Sequence, residues 1–481
     1  VAPTVRSFSA GFDPLRLVGL FPERYPGLLE SGTAEAVAGG EPRFDILGIA
    51  NGERLRLTAG GLFDGPCAAG ANGFLDALER WWLELRVPTE GVPADGVPPV
   101  SNSPDGLKLP FTGGWLVYLG FEVAAEIEPK LQMSQARDPV VALARRTPAA
   151  WLRERTTGRA WLVAERGCEA LCERFAADVA ALEATMATSR EATPAAAPGA
   201  SLPLIALCED APERFLAATR RALEYIASGD IYQANLSREW RGAATAAIDP
   251  VAIHARLRAT NPAPYAVLLR EGEFAVVSSS PERLFAIRAG RVTTRPIAGT
   301  RPRGVSREED LALIAALRAN EKERAEHVML IDLERNDLGR VCRGGSVHVD
   351  EYMSVETYAH VHHIVSNLSG ELRAGVSPID VVRAMFPGGT ITGCPKVRCM
   401  QIIAELEAVA RGAYTGSIGY LNRDGSCDFN ILIRTITTEG ASLRFRAGAG
   451  IVADSTPEQE LAETRAKAEG LLRALAPVPA A

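Results

Sequence analysis

The sequence has no uninterrupted apolar run of the roughly eighteen residues that a membrane-crossing helix needs. Its opening, "VAPTVRSFSAGFDPLRLVGLFPERYPGLLES", is broken by proline and charge, with no basic patch running into an apolar one. It has no surplus of positive charge: 52 Lys and Arg against 59 Asp and Glu give a formal charge of −7. That balance argues against a nucleic-acid or anionic-membrane partner. It has no C-x-x-C pair. The eight cysteines (67, 168, 172, 208, 342, 394, 399 and 427) are scattered, and only Cys168 and Cys172 fall at helical-neighbour spacing. Reduced structural thiols are therefore expected, not zinc ligands or disulfides. No internal repeat of fixed period is present. What remains is an ordinary globular composition, 47% hydrophobic and 23% charged over 481 residues, with ample core and an expected place in the cytoplasm.

The clearest shift in composition is "ATSREATPAAAPGASLP", residues 187–203, rich in small residues and proline without apolar periodicity. It reads as a linker or long surface loop. It separates an N-terminal region, residues 12–165, from a larger one at 205–475. Helical period marks "FLDALERWWLELRV", "EALCERFAADVAALEATM" and "APERFLAATRRALEYIASGDI", and one long helix is predicted over roughly 307–335. Strand-like runs include "IYQANLSREW", "FAVVSSS", "RVTTRPIAG", "GSIGYLN" and "DFNILIRTITT". Many strands joined by tight turns, with helices grouped between them, predict an α+β fold with large antiparallel β-sheets over a doubly wound parallel one.

Two Glu-x-x-Glu pairs stand out: Glu323 and Glu326 in "EKERAEHVML", and Glu460 and Glu463 in "EQELAETRAK". On a helix this spacing stacks both acids on one face, where they repel unless a cation or a shared proton resolves the charge. Mg²⁺ takes one or two protein carboxylates, keeps several waters and gives its other positions to substrate oxygens, which suits two such pairs. The competing reading of Glu463 is an i,i+4 salt bridge to Lys467 on a solvated helix face. "FPGGTITGCPKVRCMQII", residues 386–403, puts consecutive glycines before a helix, so exposed backbone N–H groups and the helix N-terminus would suit an anion. It lacks the Walker order, and a plain tight turn into a helix is the alternative. Glu282 in "SSSPERL" and one of His360, His362 or His363 in "HVHHIVS" are candidate general acid/base groups. Strand alternation turns His362 and His363 to opposite faces, so only one can serve a given pocket; an ordinary core or surface histidine is the alternative.

Ten segments, in order, carry a resemblance. They are "GDIYQANLS", "SPERL", "RPIAGTRPRG", "ERAEHVMLIDLERNDLGRV", "HHIVS", "FPGGTITGCPKVR", "GAYTGSIGY", "ILIRT", "GAGIVADS" and "ELAETRAKA". Together the stretch from about 212 to 475 resembles the chorismate-binding domain of the large, component I subunits of anthranilate and aminodeoxychorismate synthases. Residues 12–165 resemble that family's N-terminal region more loosely, through "LLES", "RFDILG" and "GGWLVYLGFE". The resemblance implies a β-sandwich flanked by helices. It implies Mg²⁺ bound by Glu326 and Glu463 directly and by Glu323 and Glu460 through water, holding the ring carboxylate of chorismate. Chorismate is a dianion, and the resemblance divides its carboxylates among the metal, Ala298–Gly299–Thr300, Gly388–Gly389–Thr390, Tyr414, Arg434, Gly448–Ala449–Gly450 and Lys467. Glu282 matches the acid/base that helps the C4 hydroxyl leave, and His363 the histidine beside that hydroxyl. A tryptophan pocket is implied at Leu29, Glu30, Ser31, Asn235, Pro262 and Tyr265.

Relatives that add water carry a base lysine where this chain has Gln233, so the resemblance implies ammonia as the nucleophile. No glutaminase nucleophile elbow is recognisable, which implies a separate glutaminase (component II) subunit. For the product, Asn235, "HHIVS", "GGTITG" and "GSIGY" resemble aminodeoxychorismate synthase, the route to 4-aminobenzoate and folate. "PIAGT" pulls the other way: Ala298 stands where that enzyme carries a lysine that attacks C2 of the ring, and alanine attacks nothing. On balance the segments favour aminodeoxychorismate synthase, with anthranilate synthase, which also releases pyruvate, as the alternative.

Overall fold

In the computed structural model, which describes residues 2–32, 43–87, 103–188, 202, 204–357 and 361–476, the strand-like segments pair into two large sheets. One holds 12 strands and the other 11, and the pairings that build them are antiparallel. Strands from both sides of the 187–203 segment enter each sheet. Gly27–Glu30 pairs with Tyr265–Glu271 in the first, and Gly114–Leu119 pairs with Ser417–Asn422 in the second. The predicted linker itself lies almost wholly outside the described residues. Helix Glu169–Thr188 runs into its first two residues, and Leu202 near its end is buried.

The sheets face each other. Leu116 and Tyr420 of the second pack with Ile46, Leu152 and Val163 of the first, and Tyr118 and Ile418 pack with Val267 and Val276. Helices cover the outer faces: Phe74–Leu85 and Pro378–Met385 pack on the 11-stranded sheet, and Pro14–Leu20, Pro250–Thr260 and Pro457–Leu475 on the other. This is the α+β sandwich flanked by helices that the sequence predicts. Burial of Trp115, Trp151 and Trp161, among the largest fully buried side chains, stabilises it by about 2–3 kcal/mol each. Among the described residues no helix is long and apolar enough to cross a membrane, and the eight cysteines are free thiols.

Three local features differ from expectation, and each matters for the site. The single helix over 307–335 is two, Arg307–Ala319 and Glu321–Gly339. Asn320 divides them, because its side chain accepts the Glu323 backbone N–H at 3.1 Å and caps a new helix. "DFNILIRTITT" is likewise two strands, Cys427–Asn430 in one sheet and Thr435–Glu439 in the other. The crossing between them places Arg434 at φ +52°. "RVTTRPIAG" breaks into Arg291–Thr294 and Ile297–Pro302, which sets Ala298–Thr300 opposite Ile364 and His363.

Candidate active site

The residues singled out in the sequence come from separate segments of the chain, several of which meet through the contacts below. Glu282 precedes the strand Arg283–Arg288; its backbone accepts the Ile431 N–H at 3.0 Å and donates to Ser280 Oγ at 3.2 Å. Its carboxyl is buried, and Oε1 makes no hydrogen bond. Burial raises its pKa to about 7, against the lowering pull of the Thr390 hydroxyl, the Ile297 backbone and the charges of Lys467 and Arg434. Near neutral pH it can therefore both give and take a proton.

His363, on the strand Val361–Glu371, has Nδ1 3.3 Å from the Gly299 carbonyl. A carbonyl only accepts, so Nδ1 carries the proton and Nε2 is the basic nitrogen. Burial, helped by the charge of Arg434, lowers its pKa to about 4, which keeps the ring neutral. His362 faces elsewhere: Nε2 lies 2.8 Å from Asp310 and Nδ1 2.9 Å from Thr357 Oγ1. His360 lies outside the described residues.

Gly299 links this group to the first acid pair. It sits at φ +62°, and a Cβ there would collide with Glu323 Oε2, so only glycine lets the helix carboxylate lie against this strand. Glu323 Oε1 pairs with Arg301 at 2.6 Å, while its Oε2 is buried without a hydrogen bond. Glu326, one turn on, accepts the Gln233 side-chain N–H at 3.2 Å. A Cβ on Gly450 would stand 3.8 Å from Glu326 Oε1. Gly448 is equally constrained, because a Cβ there would come within 2.5 Å of Tyr414 Oη and 2.7 Å of Asn235 Oδ1. Ala449 between them turns away into a core with Phe215 and Ile403, so only its backbone is available to a ligand.

The glycine loop departs from expectation. Gly389–Ile391 form a 3-10 turn, and the α-helix begins only at Lys396. The loop closes on itself through Thr392 Oγ1, which donates to the Gly388 carbonyl at 2.9 Å. Thr390 Oγ1 is buried beside the Glu282 carboxyl.

Against this geometry the comparisons with known proteins are decisive about kinship. A family-wide sequence model of chorismate binding enzymes matches residues 75–473. This chain belongs to that family. It is 50% identical over 288 residues to aminodeoxychorismate synthase component 1 of Bacillus subtilis, a match covering 60% of this chain and 60% of that protein. It is 40% identical over 379 residues to an anthranilate synthase component I-like protein of Synechocystis, covering 76% of this chain and 73% of the relative. The crystal structure of anthranilate synthase component I from Streptococcus pneumoniae superposes with a TM-score of 0.72 at 28% identity, covering 91% and 93% of the two chains.

The two acid pairs do not form a ready-made cation site. Among the described residues no three His, Cys, Asp or Glu side chains converge closely enough to hold one. Glu463 pairs with Lys467 at 2.7 Å, the i,i+4 bridge, with both side chains about half exposed. Glu460 is buried and accepts the Ser455 hydroxyl at 2.6 Å. By donor type the four carboxylates fit Mg²⁺, but they stand as two pairs on two helices.

A cavity of about 120 Å³ lies between the sheets, lined by Leu29, Glu30, Ser31 and Tyr265 together with Arg43 and Arg283. Glu30 is committed to His254 at 2.8 Å and Arg258 at 3.0 Å. Two residues assigned to this pocket from the sequence stand elsewhere. Four strands separate Asn235 from Leu29 in the sheet, so Asn235 faces Gly448 instead. Pro262 lines a smaller neighbouring cavity.

Sequence reasoning missed a buried ionic group that ties the site together. Arg411 donates to Glu407 at 2.7 Å, to the Asn235 carbonyl at 2.6 Å and to the Ile391 carbonyl at 3.2 Å, and it stacks 5.5 Å from the Tyr414 ring. These partners are scattered along the chain, so no local pattern signals them. It also missed Glu334, for which a signal existed: Glu334 and Asp337 repeat the three-residue acid spacing on helix Glu321–Gly339.

Proposed function

We propose that this chain is a component I enzyme that aminates chorismate, using ammonia from a separate glutaminase subunit and forming 4-amino-4-deoxychorismate. The observation that carries the reading is Gln233. An amide bonded to Glu326 stands where water-adding relatives place a base lysine. An amide cannot deprotonate water, whereas ammonia needs no base to attack. The reaction balances as chorismate plus ammonia giving the amine plus water.

The residues divide the work as follows. Glu282, neutral below about pH 7, gives its proton to the C4 hydroxyl, which leaves as water. His363 Nε2 accepts a hydrogen bond from that hydroxyl and fixes its direction. The ammonium formed by attack then returns a proton to Glu282. Lys467 and Arg434 add positive charge for the carboxylates of the dianion, and the Gly388–Thr390 turn and the Thr390 hydroxyl offer it donors. Glu326 and Glu463 would hold Mg²⁺, with Glu323 and Glu460 reaching it through water; when bound, the ion anchors and neutralises the ring carboxylate.

Ala298 supports a second reading, anthranilate synthase, because the lysine of the aminodeoxychorismate route is missing. The test is the product made from chorismate, Mg²⁺ and ammonium. Anthranilate fluoresces, whereas aminodeoxychorismate gives 4-aminobenzoate only after a coupling lyase is added.

A further inference from the structure

Beneath the glycine turn lies a carboxyl group that the reaction does not use. Glu334 is 3% exposed, and its Oε1 lies 3.5 Å from where a Cβ on Gly389 would sit. Its Oε2 is 3.2 Å from Thr294 Oγ1, and that same hydroxyl is 2.9 Å from the Leu284 carbonyl. A hydroxyl has one proton and a carbonyl can only accept, so Thr294 donates to Leu284. The remaining contact is then satisfied when Glu334 is a neutral acid donating to the Thr294 oxygen.

The surrounding charges agree with that assignment. On its own helix Glu334 faces Asp337. From helix Lys396–Glu407 it faces Lys396, whose ammonium is already paired with Asp337 and also donates to the Met385 carbonyl at 3.3 Å. From the segment before Arg283–Arg288 it faces Glu282. Lys396 and Asp337 form an ion pair, so a proton on Glu334 keeps a further negative charge out of this layer. Burial first, then the charges of Asp337 and Glu282, raise its pKa to about 8 against the lowering pull of the Lys396 charge and the Thr294 hydroxyl.

We propose that Glu334 is a positioning residue that must stay protonated for the Gly388–Thr390 turn to accept an anion, and that its ionisation closes the site to a dicarboxylate substrate. The inference rests on the reading of that turn as a substrate carboxylate site. A neutral acid supports the backbone of Gly389 at close range without opposing negative charge above it. A carboxylate there would repel the substrate across a water-free layer and break the hydrogen-bond chain to Leu284.

The experiment measures chorismate binding by calorimetry with Mg²⁺ and without ammonium, from pH 6.5 to 9.5, for the wild type and Glu334→Gln. If only the neutral form binds, the apparent affinity falls about tenfold between pH 7 and pH 9. Glu334→Gln, which keeps a donor towards Thr294 and cannot ionise, loses that fall. Infrared difference spectra supply a readout independent of the ligand: besides the carboxyls of Glu282 and Glu122, which lose their protons near pH 7, the wild type shows a protonated-carboxyl stretch that disappears near pH 8 and is missing from Glu334→Gln. Wild-type affinity that is flat to pH 9, or the same fall in Glu334→Gln, overturns the proposal. If the variant does not fold, a wild type without a carboxyl band that is lost near pH 8, above those of Glu282 and Glu122, overturns it equally. A protein with that band that binds no chorismate at any pH would instead sink the reading of the turn as a substrate site.

Discussion

Gln233 and Glu326, 93 residues apart in the chain, meet through a 3.2 Å hydrogen bond from the amide to the carboxylate. The bond orients one oxygen of Glu326, and an amide donor adds no charge of its own beside that carboxylate. Lysine in place of Gln233 would put an ammonium beside the same oxygen and compete for it. Gln233→Lys is expected to raise the Mg²⁺ concentration for half-maximal ammonium-dependent turnover by about tenfold, some 1.4 kcal/mol. Titration of activity with Mg²⁺ measures this. An unchanged requirement would remove Glu326 from the ligand set.

Glu282 gives a prediction with two sides. As the general acid it must be protonated, so kcat falls as pH rises through about 7. Glu282→Gln cannot transfer a proton and should lose at least about a hundredfold in kcat, roughly 3 kcal/mol of barrier. The same burial raises the folded pKa above the unfolded value of 4.5. Stability present below pH 4.5 is therefore lost as pH rises to about 7. Removing that titration should make Glu282→Gln more stable than the wild type at pH 8, by up to about 3 kcal/mol. Denaturant midpoints at pH 4.5 and pH 8 test the second side and pH–rate profiles the first; a variant less stable than the wild type at both pH values contradicts it.

The two histidines separate by the same logic. His363→Ala removes the neutral imidazole that abuts Gly299 and should reduce turnover by about two powers of ten. His362→Ala removes the partner of Asp310 and Thr357 and should act on stability instead, costing about 1–3 kcal/mol for the groups left unsatisfied. Equal losses of kcat from both substitutions would assign the pair to packing.

Much of this was legible in the chain because the chemistry sits in short, ordered motifs. The acid pairs, Glu282 and the glycine turn are each local, and alternation alone separates His362 from His363. What was not legible depends on partners distant in sequence. The split of the predicted 307–335 helix turns on one side chain, Asn320, capping where a continuous helix had equal local support. The placement of Arg434 depends on a strand that changes sheets, which periodicity cannot register. Asn235 was misplaced because the order of strands across a sheet is not written in any one of them. Arg411 was invisible because its acceptors, Asn235, Ile391 and Glu407, come together only after both sheets form.

Gly448 offers a test of close approach. A methyl group there must displace Tyr414 Oη, the Leu236 carbonyl or Asn235 Oδ1, all within 2.5–2.7 Å. Gly448→Ala should raise the KM for chorismate about tenfold or more as Tyr414 shifts, with a smaller loss of thermal stability. Unchanged kinetics would show that Tyr414 takes no part in binding.

The proposed product turns on Ala298. It is 7% exposed and lies opposite Ile364, next to the glycine that touches Glu323. With alanine there, no covalent adduct can form at this position, and under the proposed function ammonia opens the ring chemistry itself. In Ala298→Lys, burial would lower the amine's pKa towards a free nucleophile, while the Glu323 carboxylate, already engaged by Arg301 at 2.6 Å, would compete less for its proton than an unpaired acid. Ala298→Lys is therefore expected to retain or increase aminodeoxychorismate formation and to suppress any anthranilate. The measurement is parallel assays of wild type and variant on chorismate with ammonium, one aliquot read by fluorescence and one coupled to the lyase that yields 4-aminobenzoate. A wild type that makes only anthranilate would mean that this single alanine outweighs Asn235 and the "HHIVS", "GGTITG" and "GSIGY" segments, and the chain would then be an anthranilate synthase.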